Sequence, residues 1–229
     1  MAFYARWKFT VLLSAMLLVV GARMALTGSI VDTIILDLCS VILVAAAILT
    51  ICAERHFRLA ALLLGGPVIA LLSAIYVLPG HLTARTQLVG RLWAVVFMAF
   101  TVVMIVRAVV TARLVTWDTV IGAFAGYVMI GIVWTQVYCA IDLVDPDAFS
   151  VAGIPGGLRG PPLERQAVLE YFSFATLSTL GYGDVTPLSQ PARSLASFEA
   201  ICGQFYLAVL VAGLIGIRTT GTPHQKQPE

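Results

Sequence analysis

The sequence predicts an all-α membrane protein: six transmembrane helices, with a short re-entrant helix and a stretch of uncoiled backbone between the fifth and the sixth. Three observations predict it. The chain of 229 residues is 60% hydrophobic and 11% charged, whereas a soluble domain carries about 25% charged residues. No core surrounded by water could hide that much apolar surface. Six stretches approach or exceed the roughly 20 apolar residues that a bilayer-crossing helix needs, because every backbone polar group must be satisfied within the segment. Between the last two lies "TLSTLGYGDVTP", residues 176–187, where closely spaced glycines interrupt any continuous helix. The net charge of +2, with its basic residues scattered, leaves no footprint for nucleic acid.

The spans are read at residues 7–26, 30–53, 59–78, 88–110, 119–143 and 192–217. The first also has the marks of a signal peptide, with Arg6 and Lys8 before an apolar centre; its retention is the expectation. Basic loops set orientation. With the N-terminus inside, Arg6, Lys8, Arg55, Arg58, Arg107, Arg113, Arg218 and Lys226 face inward, against Arg23, Arg85, Arg91, Arg159, Arg165 and Arg193 outside. Both termini are therefore expected in the cytoplasm of a cell membrane protein. An arginine-rich, lysine-poor chain without asparagine fits a bacterial source. In the second span Asp37 is expected to pair with Arg91 or Arg23. Gly65-Gly66-Pro67 predicts a kink in the third. The cysteines Cys39, Cys52, Cys139 and Cys202 all fall in apolar segments and read as buried free thiols. Their spacing suggests no metal site. His56, His81 and His224 lie in loops or the tail and are read as ordinary residues.

Residues 144–163 are rich in glycine and proline and predict an irregular outer loop. Pro161-Pro162 can open a helix, and Glu164 suits its positive end. The helix read at 163–179, "LERQAVLEYFSFATLST", is apolar and aromatic enough to be buried but too short to span and return. Backbone that dips to membrane depth and comes back uncoiled survives only when buried in protein or lining a watery cavity. Gly181 and Gly183 can take positive φ without steric cost. With ordinary and positive φ alternating, Thr179, Leu180, Gly181 and Tyr182 offer stacked carbonyl oxygens, with the Thr179 hydroxyl below. Such oxygens can replace the water shell of an ion. The negative end of the preceding helix points inward and favours a cation. Asp184 at the outer edge adds negative charge.

"TLGYGD", residues 179–184, behind an aromatic short helix resembles the selectivity filter of the tetrameric potassium channels. The likeness is specific over residues 164–187 and looser over 118–217, where "FEAICGQFYLAVLVAGLIG" is similar to the inner helix of bacterial members. The resemblance implies a homotetramer in membrane lipid, since one strand cannot ring an ion. It implies K+ ions held by Thr179, Leu180, Gly181, Tyr182 and Gly183, with Asp184 at the mouth. Tyr171 and Phe172 stand where many members place two tryptophans, so Tyr171 is expected to hydrogen-bond near Asp184. They and Thr176 would support the filter from the pore helix. Leu180 replaces the usual valine, and Ala175 a glutamate found behind the filter in some members. Gly203 matches the inner-helix hinge glycine and equally suits close packing. Gln204, Ala208 and Val211 follow at helical spacing and are expected to face a cavity. Glu199, ionisable inside a span, needs a partner; the Ser173 or Thr176 hydroxyl is expected.

The chain thus divides into a sensor-like four-helix region at 1–115, a pore region at 116–217 and a cytosolic tail at 218–229, too short for a ligand-binding domain. Gating is expected from the first four spans, the filter, lipid or a partner. No organic cofactor and no catalytic residue is read. Nothing resembles a Ser/His/Asp set, a paired-carboxylate pocket or a phosphate-cradling loop; GxG at 181–183 lacks a strand–helix setting. The expected function is passive K+ conduction, with a weakly selective cation channel or a non-conducting sensor or scaffold as rivals. A voltage sensor needs arginines at every third residue, sharing one face. Arg85, Arg91, Arg107 and Arg113 are widely spaced, and Arg91 and Arg107 are expected to snorkel to opposite interfaces. Conductance recorded across a range of membrane potentials is therefore expected to change little; steep activation that moves several elementary charges per subunit would refute this.

Overall fold

The computed structural model describes residues 2–25, 30–52, 55–74, 80–112, 116–153, 158, 160 and 162–220. The chain is mostly helical. Helices α1 (Ala2–Ala25), α2 (Ile30–Cys52), α3 (Arg58–Ala74), α4 (Gly80–Val110) and α5 (Trp117–Val144) come first, with a 3-10 turn at Arg55–Phe57 before α3. Strand β1 (Phe149–Val151), α6 (Pro162–Leu177), β2 (Val185–Pro187) and α7 (Gln190–Thr220) follow. Among the described residues three segments are long and apolar enough to cross a membrane: Ile34–Cys52, Arg85–Val110 and Trp117–Val144. Large apolar side chains such as Leu18, Leu38, Leu63, Val103 and Phe124 stand on the outside. That arrangement suits a multi-pass membrane protein, whose surroundings are themselves apolar.

Several sequence expectations need correction. Helix α3 carries Pro67 inside its 17 residues. Non-helical backbone falls in α1 at Trp7 (φ −126°, ψ 17°). The expected irregular loop contains β1, which pairs antiparallel with β2: Phe149 opposite Pro187, Ser150 opposite Thr186, Val151 opposite Val185. Arg91, expected at an interface, donates to Gln136 Oε1 on α5 at 2.9 Å. Arg113, His224 and residues 221–229 of the tail lie outside the described residues, as does the His81 side chain. The four cysteines are free.

Helix α5 is the axis of the fold. It packs against α1, α4, α6 and α7. The chain begins it with a capping box: the Thr116 hydroxyl accepts from Thr119 N–H at 3.2 Å, and the Thr119 hydroxyl from Thr116 N–H at 3.3 Å. These bonds satisfy donors that the first turn would otherwise leave orphaned. Three glycines make notches along α5, and each receives an aromatic ring from a different helix. A Cβ on Gly122 would sit 2.7 Å from Phe9 of α1, and one on Gly126 would strike the Tyr206 hydroxyl of α7. A Cβ on Gly131 would sit 2.5 Å from Phe174 of α6. Close approach through small residues is how helices pack where lipid removes the hydrophobic drive. The Tyr206 hydroxyl then donates to the Ala123 carbonyl at 2.6 Å.

Two cores result. The larger joins α1 to α5 around Leu12, Met16, Ile51, Phe97 and Met129. The smaller gathers residues of α5, β1, α6 and α7, including Tyr138, Phe149, Leu169, Phe172 and Ala196. Gly131→Val is expected to destabilise the protein by about 1–3 kcal/mol, because its side chain would overlap the Phe174 ring. In contrast, Gly66→Ala, whose Cβ meets nothing within 4 Å, is expected to stabilise by up to about 1 kcal/mol through helix propensity. Thermal unfolding midpoints in detergent check both.

Candidate functional site

The 16 residues of α6 reach about 24 Å at the helical rise per residue, short of the roughly 30 Å hydrocarbon thickness. The helix ends at Leu177, and its last carbonyls are used at once. Ser178 N–H donates to Phe174 O at 3.0 Å and Thr179 N–H to Thr176 O at 3.0 Å. Leu180 and Gly181 N–H both donate to Ala175 O, at 2.8 and 3.2 Å. The end of the helix therefore holds the first residues of the uncoiled segment.

In that segment the sign of φ alternates. Thr179 (φ 59°), Gly181 (φ 57°) and Gly183 (φ 78°) are left-handed. A Cβ on either glycine would meet nothing within 4 Å, so backbone conformation and not space requires glycine there. Thr179 takes the same conformation in spite of its Cβ, which the sequence did not announce; positive φ is uncommon outside glycine. The side chains of Leu180 and Tyr182 are exposed.

Three contacts hold the far end of the segment. The Tyr171 hydroxyl donates to Asp184 Oδ2 at 2.8 Å. Val185 N–H donates to Asp184 Oδ1 at 3.0 Å, and Ala152 N–H to the Asp184 carbonyl at 2.7 Å. The last bond extends the β1–β2 pairing, so the loop before α6 is tied to the segment after it. Leu188 N–H adds a bond to Ala148 O at 2.7 Å. Under β1 sit three aromatic rings in edge-to-face contact, Tyr138, Phe149 and Phe172, with centroids 5.1 to 5.6 Å apart. That geometry is the favoured one for aromatic quadrupoles. Phe172 thus packs beneath the loop strand, while Tyr171, one residue earlier, faces Asp184.

Glu199 of α7 is fully buried. Its Oε1 accepts from the Ser173 hydroxyl at 2.6 Å and its Oε2 from the Tyr138 hydroxyl at 2.5 Å. Ser173 Oγ also lies 2.9 Å from the Gly131 carbonyl. One carboxyl group therefore links α5, α6 and α7 behind the uncoiled segment. Ser173 was an expected partner; Tyr138 escaped the sequence reading. A buried tyrosine needs a partner for its hydroxyl, and Glu199 needs a donor, so the two unmatched demands in flanking spans were the available signal.

Gly203 lies where α7 passes the end of α6: a Cβ there would strike the Leu177 carbonyl oxygen. Close packing accounts for the glycine. Gln204 and Ala208 lie on the exposed side of α7. The Val211 side chain lies outside the described residues. Thr176 contributes its carbonyl to the turn.

Tyr138→Phe keeps the ring packing and removes one of the two hydrogen bonds to a buried carboxyl group. A loss of about 1–3 kcal/mol is expected, seen as a lower unfolding midpoint in detergent. A midpoint equal to that of the unaltered protein would show that Ser173 alone satisfies Glu199.

Residues 169–218 match a family described as ion channels. The inward rectifier potassium channel Kirbac3.1 of Paramagnetospirillum magnetotacticum is 44% identical over 50 residues, which make up 22% of this chain and 17% of that protein. The match thus covers less than a fifth of that relative's length. No solved structure matches the chain.

Proposed function

We propose, from the likeness of residues 169–218 to ion channels and to part of a potassium channel, that the chain is a potassium-selective channel of six spans, assembled as a homotetramer. Ions move passively down their gradient. They shed water into rings of carbonyl oxygens from Thr179, Leu180, Gly181, Tyr182 and Gly183 of each copy, with Asp184 drawing cations to the mouth. In this reading α6 is a re-entrant pore helix, α5 the outer helix and α7 the inner helix. Residues 116–217 are the pore region, and 1–115 form a separate four-helix region. The protein lies in the cell membrane with both termini in the cytoplasm and is not an enzyme.

The observation that carries the reading is the alternation of left-handed φ at Thr179, Gly181 and Gly183. In an ordinary strand successive residues face opposite sides. Alternating handedness turns successive carbonyls to one side, which a row of ion sites requires. Two further features support assembly. The side chains of Leu180 and Tyr182 stand bare, as they would where neighbouring copies close around them. The stripe Phe198, Ile201, Phe205 and Val209 on α7 is exposed and apolar, at the spacing of one helical face.

The full chain in liposomes loaded with K+ is expected to release it in a barium-sensitive manner. Reversal potentials with K+ on one side and Na+ on the other are expected to favour K+. Gly181→Ala, which places a Cβ on left-handed backbone, is expected to abolish the flux. A purified lone protomer, or flux that ignores both barium and Gly181→Ala, would end the proposal; equal permeability to Na+ would leave a cation channel without the selectivity.

A further inference from the structure

Helix α6 has a polar face that is turned toward protein. Gln166, Glu170 and Ser173 recur at the spacing of one helical face, and each meets a residue of another helix. Ser173 meets Glu199 of α7. Glu170 is ion-paired with Arg23 of α1, both side chains being nearly fully buried. Gln166 can serve either of two arginines: one amide orientation puts its oxygen 3.5 Å from Arg91 Nη2 of α4, and the other presents it to Arg23 at 2.8 and 3.3 Å. The second is the better hydrogen-bond geometry. At the start of α6, Arg165 is ion-paired with Asp142 near the end of α5 and donates to the Asp142 carbonyl at 3.2 Å. Arg91 is shared with Gln136 of α5.

A buried charge persists only when paired, and removing one partner leaves the other stranded. Arg23 and Glu170 therefore move together. Glu170 immediately precedes Tyr171, whose hydroxyl holds Asp184 at the outer end of the uncoiled segment. Any shift of α1 along this pair is delivered to α6 and, through Tyr171, to Asp184. In addition, Glu170 commits one oxygen to Arg23 and leaves the other without a hydrogen-bond partner. A partly satisfied network rearranges more readily than a saturated one.

We propose, resting on the channel reading above, that the Arg23–Glu170 pair is the joint by which α1 sets how long the filter stays conductive. Glu170 and Arg23 are positioning residues: they touch no ion and act through α6 and Tyr171. The input to the joint is the placement of α1, so whatever moves α1 in the membrane regulates the filter.

The test uses the full chain in lipid, comparing the unaltered protein with Arg23→Gln, Arg23→Lys and the reversed pair Arg23→Glu with Glu170→Arg. Under sustained K+ conduction, Arg23→Gln is expected to shorten the conducting lifetime about fivefold or more, the lower end of typical coupling between sites. Arg23→Lys and the reversed pair are expected to recover most of the loss. A lifetime unchanged in Arg23→Gln overturns the proposal, as does a reversed pair that folds but decays as fast as the single variant. Hydrogen exchange supplies a readout that does not need conduction. Arg23→Gln is expected to raise exchange at amides 178–184, distant in sequence from the substitution, whereas exchange raised only within α1 overturns the joint. Should Arg23→Gln fail to fold, the same exchange measurement on Arg23→Lys decides, with a smaller rise at 178–184 expected. An unaltered protein that conducts nothing sinks the channel reading, and exchange then judges the joint by itself.

Discussion

Backbone that leaves helical geometry deep in a membrane protein must have every donor and acceptor answered by protein or by what passes through it. On the channel reading, residues 178–184 are under that constraint, and the surrounding contacts are arranged to meet it. A left-handed Thr179 costs roughly 1–2 kcal/mol against an ordinary conformation, so its neighbours must over-determine it. They do so from both ends. The carbonyls of Ala175 and Thr176 hold the first residues. Tyr171 and Ala152 hold Asp184 at the last. Between these anchors the amides of Leu180 and Gly181 turn back on the helix.

Rigidity behind the segment comes from two different materials. Under β1 it is hydrocarbon: Tyr138, Phe149 and Phe172 interlock edge to face. Below them it is polar: Glu199 is bonded to Tyr138 and Ser173. Tyr138 belongs to both, with its ring in the aromatic group and its hydroxyl on the carboxyl group. A hydrogen-bonded carboxyl group in such surroundings is costly to leave unsatisfied, and it fixes the relative register of α5, α6 and α7 more sharply than apolar packing could. The glycine notches of α5 make this possible. By admitting Phe9, Phe174 and Tyr206, they bring α1, α6 and α7 close enough for short side chains such as Ser173 to reach.

The same closeness joins the first four helices to the proposed pore. The residues on α6 that face α1 and α4 are charged or amide-bearing, and the helices they face supply Arg23 and Arg91. Apolar contacts there would tolerate sliding; paired charges do not, because each displacement exposes an unpaired group. On the channel reading, the four-helix region is therefore connected to the ion path by directional bonds.

How much was legible in the sequence follows from the range of each interaction. Helices announced themselves through apolar runs of membrane length, and the uncoiled segment through Gly181 and Gly183, because these are properties of neighbouring residues. The contacts of Tyr171 with Asp184 and of Glu199 with Ser173 were also within reach, since resemblance supplied one and unmet polar demand in a span the other. The pairing of β1 with β2 was hidden in a stretch that reads as loop, because three-residue strands carry no periodicity. Arg91 was assigned to an interface or to Asp37; its acceptor, Gln136, lies on a helix that local pattern does not point to. Tyr138 and the Arg23–Glu170 pair were missed for the same reason: which face of one helix meets which face of the next is written nowhere in local pattern. The sequence by itself determined a helical membrane chain interrupted by backbone that only glycine makes easy. Tertiary structure alone decided which side chains hold that backbone, because burial between helices selects partners far apart in the chain.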